Sequence, residues 1–162
     1  MIEASRISPI LITCAVLVFA GCWYSFSEKA YPNIKTIGVI PFENETAEYE
    51  IASQATDLLT QKLLSSSSYE LSSANEADGI VSGRIILYER KVNTYDQSEN
   101  PIDYVVRIRA RIIFAERAVS KTLWENDFEG IATFTADGDE SQARQDAINL
   151  LVQRVYDKLK GG

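Results

Sequence analysis

No histidine occurs in this chain, which removes at once the commonest general base and the commonest zinc ligand. Cysteine is almost as scarce, and the two that occur, Cys14 and Cys22, lie in one N-terminal segment. Nucleophilic catalysis would therefore fall to a serine activated by lysine or a carboxylate, yet neither a G-x-S-x-G elbow nor an S-x-x-K sequence is present. Gly-rich phosphate loops are absent as well. A carboxylate pair could still act as acid and base, but Asp and Glu total 23 and supply such pairs by chance. The reading is of a protein that is not an enzyme and uses no cofactor and no metal. Positive charge is also short: 16 Lys and Arg leave a net charge of −7. That balance argues against nucleic acid as a partner, because phosphate contacts need a basic surface, while leaving room for local basic patches.

What is present begins with an apolar run from Ile7 to Ala20 that ends in Phe19-Ala20-Gly21-Cys22. It is too short to span a bilayer comfortably, which takes about 20 residues, but it has the length of a secretory signal. Small residues before a cleavage point fit the narrow groove of a signal peptidase. The ending resembles a bacterial lipobox, with phenylalanine where leucine is usual, so Cys22 is the expected lipidation site and new N-terminus. Residues 1–21 are then a cleaved signal and 22–33 a lipidated tether, and 34–162 form a single domain. Of the 162 residues, 141 remain after cleavage, enough for one core. No thiol is left for a disulfide, so stability rests on that core.

The mature chain alternates clear patterns. Thr36 to Phe42 is a short, mostly apolar run typical of a buried strand, and Pro41 predicts that it ends there or lies at an edge. From Tyr49 to Leu64, Ile51, Ala52, Ala55, Leu58, Leu59 and Leu63 recur at helical spacing. Three strand-like stretches follow: Gly79 to Val92, Tyr104 to Glu116 and Thr122 to Thr135, the last two with period-two alternation that marks one buried and one wet face. Asn93 to Asp103, with Pro101, reads as a long exposed loop. A second amphipathic helix spans about Glu140 to Lys160, and Asp139 with Gln142 suits a capping box. The order β-α-β-β-β-α predicts an α+β fold. Two amphipathic helices would pack on one face of a four-stranded mixed, mostly antiparallel sheet with one parallel pair.

Arg107, Arg109 and Arg111 share one strand face, side chains about 7 Å apart. Such a row has three readings, one of them an interface with a partner protein. It could engage the phosphates of an anionic lipid or sugar. Alternatively, if the next strand turns back through Ala118, the three lie opposite Glu129, Asp127 and Glu125, and opposite charges across a ladder fix its register. Arg90, Lys91, Arg117 and Lys121, at strand ends and turns, have less obvious partners.

Cys22-Trp23-Tyr24-Ser25-Phe26, then Ile34 to Thr46 with its strand running into Pro41-Phe42 and its Asn44-Glu45-Thr46 turn, resemble the lipopolysaccharide-assembly lipoprotein family (LptE). Ala77 to Ile85, Tyr88-Glu89-Arg90 and Thr122-Leu123-Trp124-Glu125 look like the same family, with Trp23 in place of the usual glycine. The resemblance implies two helices on a four-stranded sheet, and a plug inside the outer-membrane barrel LptD that assists its assembly and binds lipopolysaccharide without chemical reaction. On that reading Arg90, Lys91 and Lys121 are glycolipid contacts by position, and the loop holding Asn93, Pro101 and Asp103 is a barrel contact. Outer-membrane placement with a periplasmic or luminal domain follows, since Trp23 is not the aspartate that retains lipoproteins in the inner membrane. The alternative is a structural envelope lipoprotein or an oligomeric secretion-pore component, curli-secretion-like or flagellum-associated, without lipopolysaccharide affinity.

Overall fold

The computed structural model describes residues 31–66 and 68–161; the expected signal peptide, Cys22 and most of the tether lie outside the described residues. The elements run β1 (Thr36–Val39), β2 (Glu43–Asn44), α1 (Ile51–Leu64), β3 (Glu70–Leu71), β4 (Gly79–Tyr95), β5 (Pro101–Glu116), β6 (Lys121–Thr135) and α2 (Glu140–Leu159). They form an α+β fold whose sheet has six strands rather than four, in the order β3-β1-β4-β5-β6 with β2 also beside β4. β1 is parallel to both β3 and β4, β2 is parallel to β4, and the three long strands are antiparallel.

The two extra strands are two-residue pieces, and proline explains one of them. Val39 pairs with Val81 and Glu43 with Arg84, so three residues, Ile40 to Phe42, span what two span on β4. Pro41 has no N–H to give the ladder. The Phe42 N–H leaves the sheet altogether and donates to Thr56 Oγ1 on α1 at 2.9 Å. The strand predicted over Thr36 to Phe42 thus ends as β1 at Val39, and beyond a bulge that steers the chain towards α1 pairing resumes as β2, on residues expected to turn. The turn after β2 is built by Asn44, whose Oδ1 accepts from the N–H and hydroxyl of Thr46 at 3.0 and 2.8 Å.

The helices cover one sheet face. Ile85, Ile108, Ile112 and Phe114 from the strands meet Leu59 and Leu63 of α1 and Leu151 and Val155 of α2, all at most 1 % exposed. β6 lets α2 come closest at Gly130, where a Cβ would lie 1.8 Å from the Ala147 carbonyl oxygen. Asp139 caps α2 by accepting from the Ser141 N–H at 2.8 Å. The capping box does not close, because the Gln142 amide donates forward to Asp146 at 3.0 Å.

A second bulge decides which side chains face where. Ile85 pairs with Ala110 but Leu87 with Arg109, leaving Ile86 as an extra residue in β4. Before it, odd-numbered residues such as Val81 and Ile85 face the helices; after it, even-numbered ones such as Tyr88 and Arg90 do.

Candidate functional site: charged sheet face and strand ends

The uncovered face of β4, β5 and β6 carries the arginine row, and the structure places each arginine in ion pairs. Arg109 Nη2 donates to Glu129 Oε2 at 3.1 Å, and Arg111 donates through Nε and Nη2 to the two oxygens of Asp127 at 2.8 and 3.1 Å. Those hydrogen bonds hold the Asp127 carboxyl below, and the Arg111 guanidinium above, their ordinary values. The buried Arg107 Nε stands 3.6 Å from Glu129, too far for a hydrogen bond, and Glu89 lies 3.8 Å from the same guanidinium. Arg84 with Glu45 and Lys91 with Glu89 complete the pattern. Five cations and five carboxylates therefore neutralise one another on this face. An anionic ligand here would have to break existing pairs, so the geometry favours the ladder reading over the ligand reading.

The register of that ladder differs from expectation by two residues. Arg109 faces Glu129 and Arg111 faces Asp127, while Arg107 faces Ile131 and Glu125 faces Ile113. The hairpin turn takes four residues, Arg117 to Ser120, with Ser120 at φ 50°, and a bulge at Leu123 adds one more before Trp124 meets Phe114. A simple reversal at Ala118 provides for neither.

The three basic residues expected to share a ligand are not brought together. Arg90 follows the Ile86 bulge and points to the helix side, where its Nε pairs with Glu140 Oε2 at 3.0 Å and its guanidinium lies 4.0 Å over the Tyr104 ring. The Tyr88 hydroxyl donates to the other Glu140 oxygen at 2.9 Å, and burial together with that bond pushes its pKa up to about 12. Glu140 opens the first turn of α2, where a carboxylate suits the helix dipole. Arg90 is thus a clamp between β4 and α2. Lys91, one residue on, projects from the opposite face and pairs with Glu89 at 2.7 Å. Lys121 starts β6 beside Glu116, ten residues along β5 from the partner of Arg90, or about 33 Å.

The expected barrel-contact loop is mostly strand. β4 and β5 extend to Tyr95 and Pro101, so only residues 96–100 form the turn, organised by Asp96, whose Oδ1 accepts from the N–H groups of Ser98 and Asn100, both at 2.8 Å. Pro101 and Asp103 pair with Tyr95 and Thr94 in the ladder, and Asn93 is the extra residue of a bulge between Val92 and Thr94. Asp103 accepts from Asn93 Nδ2 at 2.9 Å and from the Thr94 hydroxyl. The large apolar side chains that this hairpin end shows to solvent are Tyr95 and Ile102, 59 % and 50 % exposed. The two-residue spacing of Ile102, Tyr104 and Val106 was the available signal on β5; Pro101 obscured it, although proline is tolerated at the first position of a strand.

The opposite end of the sheet is where the chain arrives. Tyr31 packs edge-on against Phe114 with ring centroids 5.2 Å apart, and Ile34 is buried. Asp78 Oδ2 accepts from the N–H groups of Lys35 and Thr36 at 3.0 and 3.1 Å, and the Thr36 hydroxyl accepts from the Asp78 N–H at 2.9 Å. A cavity of about 190 Å³ lies there, lined by Tyr31, Pro32, Glu116, Lys121 and Leu123 among others. Sequence reasoning missed this cluster, since it joins residues more than forty positions apart.

Among solved structures the chain is similar to the protein CT253 from Chlamydia trachomatis, with a TM-score of 0.61, 10% identity and coverage of 79% of this chain and 96% of that one. Protein XCC0632 from Xanthomonas campestris matches at a TM-score of 0.54, 7% identity and coverage of 79% and 82%. A PelC dodecamer from Paraburkholderia phytofirmans matches at 0.51, 14% identity and coverage of 79% and 90%. At these identities the likeness is one of fold. No curated protein sequence matches the chain. The model of the family described as LptE, lipopolysaccharide-assembly, matches residues 34–159, nearly the whole of the domain just described. The chain belongs to the LptE lipopolysaccharide-assembly family, and is an envelope lipoprotein of that type.

Proposed function

We propose that this chain is an outer-membrane lipoprotein, anchored through Cys22, whose domain occupies the lumen of the barrel LptD, assists that barrel's assembly and binds lipopolysaccharide. The family match across residues 34–159 carries the reading. The geometry supports a binding and filling role: a compact body with a neutralised polar sheet face suits the wet interior of a wide barrel. Among the described residues, no helix is long and apolar enough to cross a membrane.

The contacts divide by position. Lys121 lies on the tether side and makes no ion pair among the described residues, so it is the foremost of the three proposed glycolipid contacts. Arg90 and Lys91 must first leave Glu140 and Glu89. The hairpin end holding Asn93, Pro101 and Asp103 contacts the barrel wall through Tyr95 and Ile102. Purification in mild detergent from native membranes tests the reading: a one-to-one complex with an outer-membrane barrel that retains lipopolysaccharide is expected. A large ring made only of this chain, without glycolipid, would instead establish the oligomeric envelope-pore alternative.

A further inference from the structure

The two ends of this molecule differ in charge. At the end where Tyr31 arrives, both helices finish: the Tyr69 hydroxyl donates to the Leu159 carbonyl at 2.9 Å, and the Tyr156 hydroxyl donates to Ser66 Oγ just past α1 at 2.7 Å. The β5–β6 turn lies at this end too, since Gly79, the first residue of β4, pairs with Glu116. Lys62 and Lys160 stand 5.7 and 5.3 Å from the centre of the Tyr156 ring. With Lys35, Arg117, Lys121 and Lys158 they make six cations, against Glu70, Glu76, Asp78, Glu116 and Asp157. The far end is acidic, with Asp96, Glu99, Asp103, Asp137 and Asp139, and it holds most of the chain's negative excess. Two of the exposed large apolar side chains also lie at the arrival end, Leu64 at 65 % and Val119 at 63 %.

Three general facts make this end fit a lipid surface. Tyrosine with lysine is the pairing favoured at the headgroup level of a bilayer, where one part of the side chain is apolar and the other wet. An anionic surface attracts each nearby lysine and repels the acidic end, which orients the body. The segment from Cys22 to Tyr31 can reach at most about 30 Å, whereas the long strands measure about 50 Å. An anchored chain therefore brings the arrival end to the membrane first.

We infer that the end formed by the helix C-termini and the β5–β6 turn docks on anionic phospholipid headgroups of the anchoring membrane, with Lys62, Lys121, Lys160 and Tyr156 at the headgroup level and Val119 dipping into it. This rests on the lipid-anchor reading of Cys22. Lys121 is shared with the proposed glycolipid contacts, whereas Lys62, Lys160 and Tyr156 are not, so the inference does not require lipopolysaccharide affinity.

The test uses the full lipidated chain, in which the acylated Cys22 leaves no reactive thiol. Val119→Cys or Tyr95→Cys carries a fluorophore, and vesicles of phosphatidylethanolamine and phosphatidylglycerol contain a headgroup spin label as quencher. The label at position 119 should be quenched at least about twofold more than that at 95. The difference should shrink in 0.5 M salt, in phosphatidylcholine vesicles, and in a Lys62→Glu, Lys121→Glu, Lys160→Glu variant whose circular dichroism is unchanged. Equal quenching at the two positions in vesicle-bound protein overturns the inference alone. A chain that does not float with vesicles overturns the anchor reading and this inference together.

Discussion

At the scale of single residues, Asp78 shows how one carboxylate ties the arriving chain to the sheet. Its acceptance of the Lys35 and Thr36 N–H groups, the largest causes, holds its pKa below the ordinary carboxylate value. The native state then binds its proton less readily than the unfolded chain. The stabilisation is present above the unfolded value of about 3.9 and is lost as pH falls through the lower native value. Asp78→Asn is expected to lower the melting temperature at neutral pH and to flatten its fall on acidification. Melting curves measured from neutral to acidic pH check this, and parallel curves for both proteins would contradict it.

At the scale of elements, two contacts fix how the long hairpins lie. The closeness of α2 to β6 depends on Gly130, since an added Cβ meets the Ala147 carbonyl, a backbone atom that cannot swing aside. Gly130→Ala should cost about 1–3 kcal/mol in urea unfolding, as overpacking does, with the midpoint shifted and the slope kept. The β5–β6 register makes its own prediction. Charge-reversal cycles should show favourable coupling for Arg109 with Glu129 and for Arg111 with Asp127, and weaker coupling for Arg109 with Asp127. Coupling greatest for Arg109 with Asp127 would restore the register expected from a simple reversal at Ala118.

At the scale of the whole molecule, the separation of Arg90, Lys91 and Lys121 turns one expected site into three different roles. Arg90→Glu removes the Glu140 pair and the Tyr104 contact, and should destabilise the fold by about 1–2 kcal/mol. Lys121→Glu should leave the melting temperature unchanged while weakening glycolipid retention in the barrel complex. Calorimetry with quantitation of co-purified glycolipid distinguishes them. An equal loss of glycolipid in both variants, with neither destabilised, would mean that the two act in one site after all.

The sequence by itself determined the α+β class, both helices, the three long strands and the family. The elements depend on local periodicity, with apolar residues at three- and four-residue spacing in α1 and α2 and alternation around Ile108 and Phe128, whereas the family rests on the resemblance of motifs such as Pro41-Phe42 with Asn44-Glu45-Thr46. The sequence also led to the expectation that the first strand ends at Pro41 or lies at an edge, because a missing N–H is a property of one residue, and β1 ends at Val39. Only the tertiary structure decided the register of the arginine row, the facing of Arg90, the hairpin at Asn93 to Asp103 and the gathering of lysines around Tyr156. The lysines gather because the ends of two helices far apart in sequence meet, and for the strand residues the reason is alternation. A strand's side chains alternate with a period of two, so one extra residue at Ile86 or Leu123 reverses every later assignment. Whether a bulge forms depends on what the neighbouring strand and helix accept, and that information lies tens of residues away along the chain.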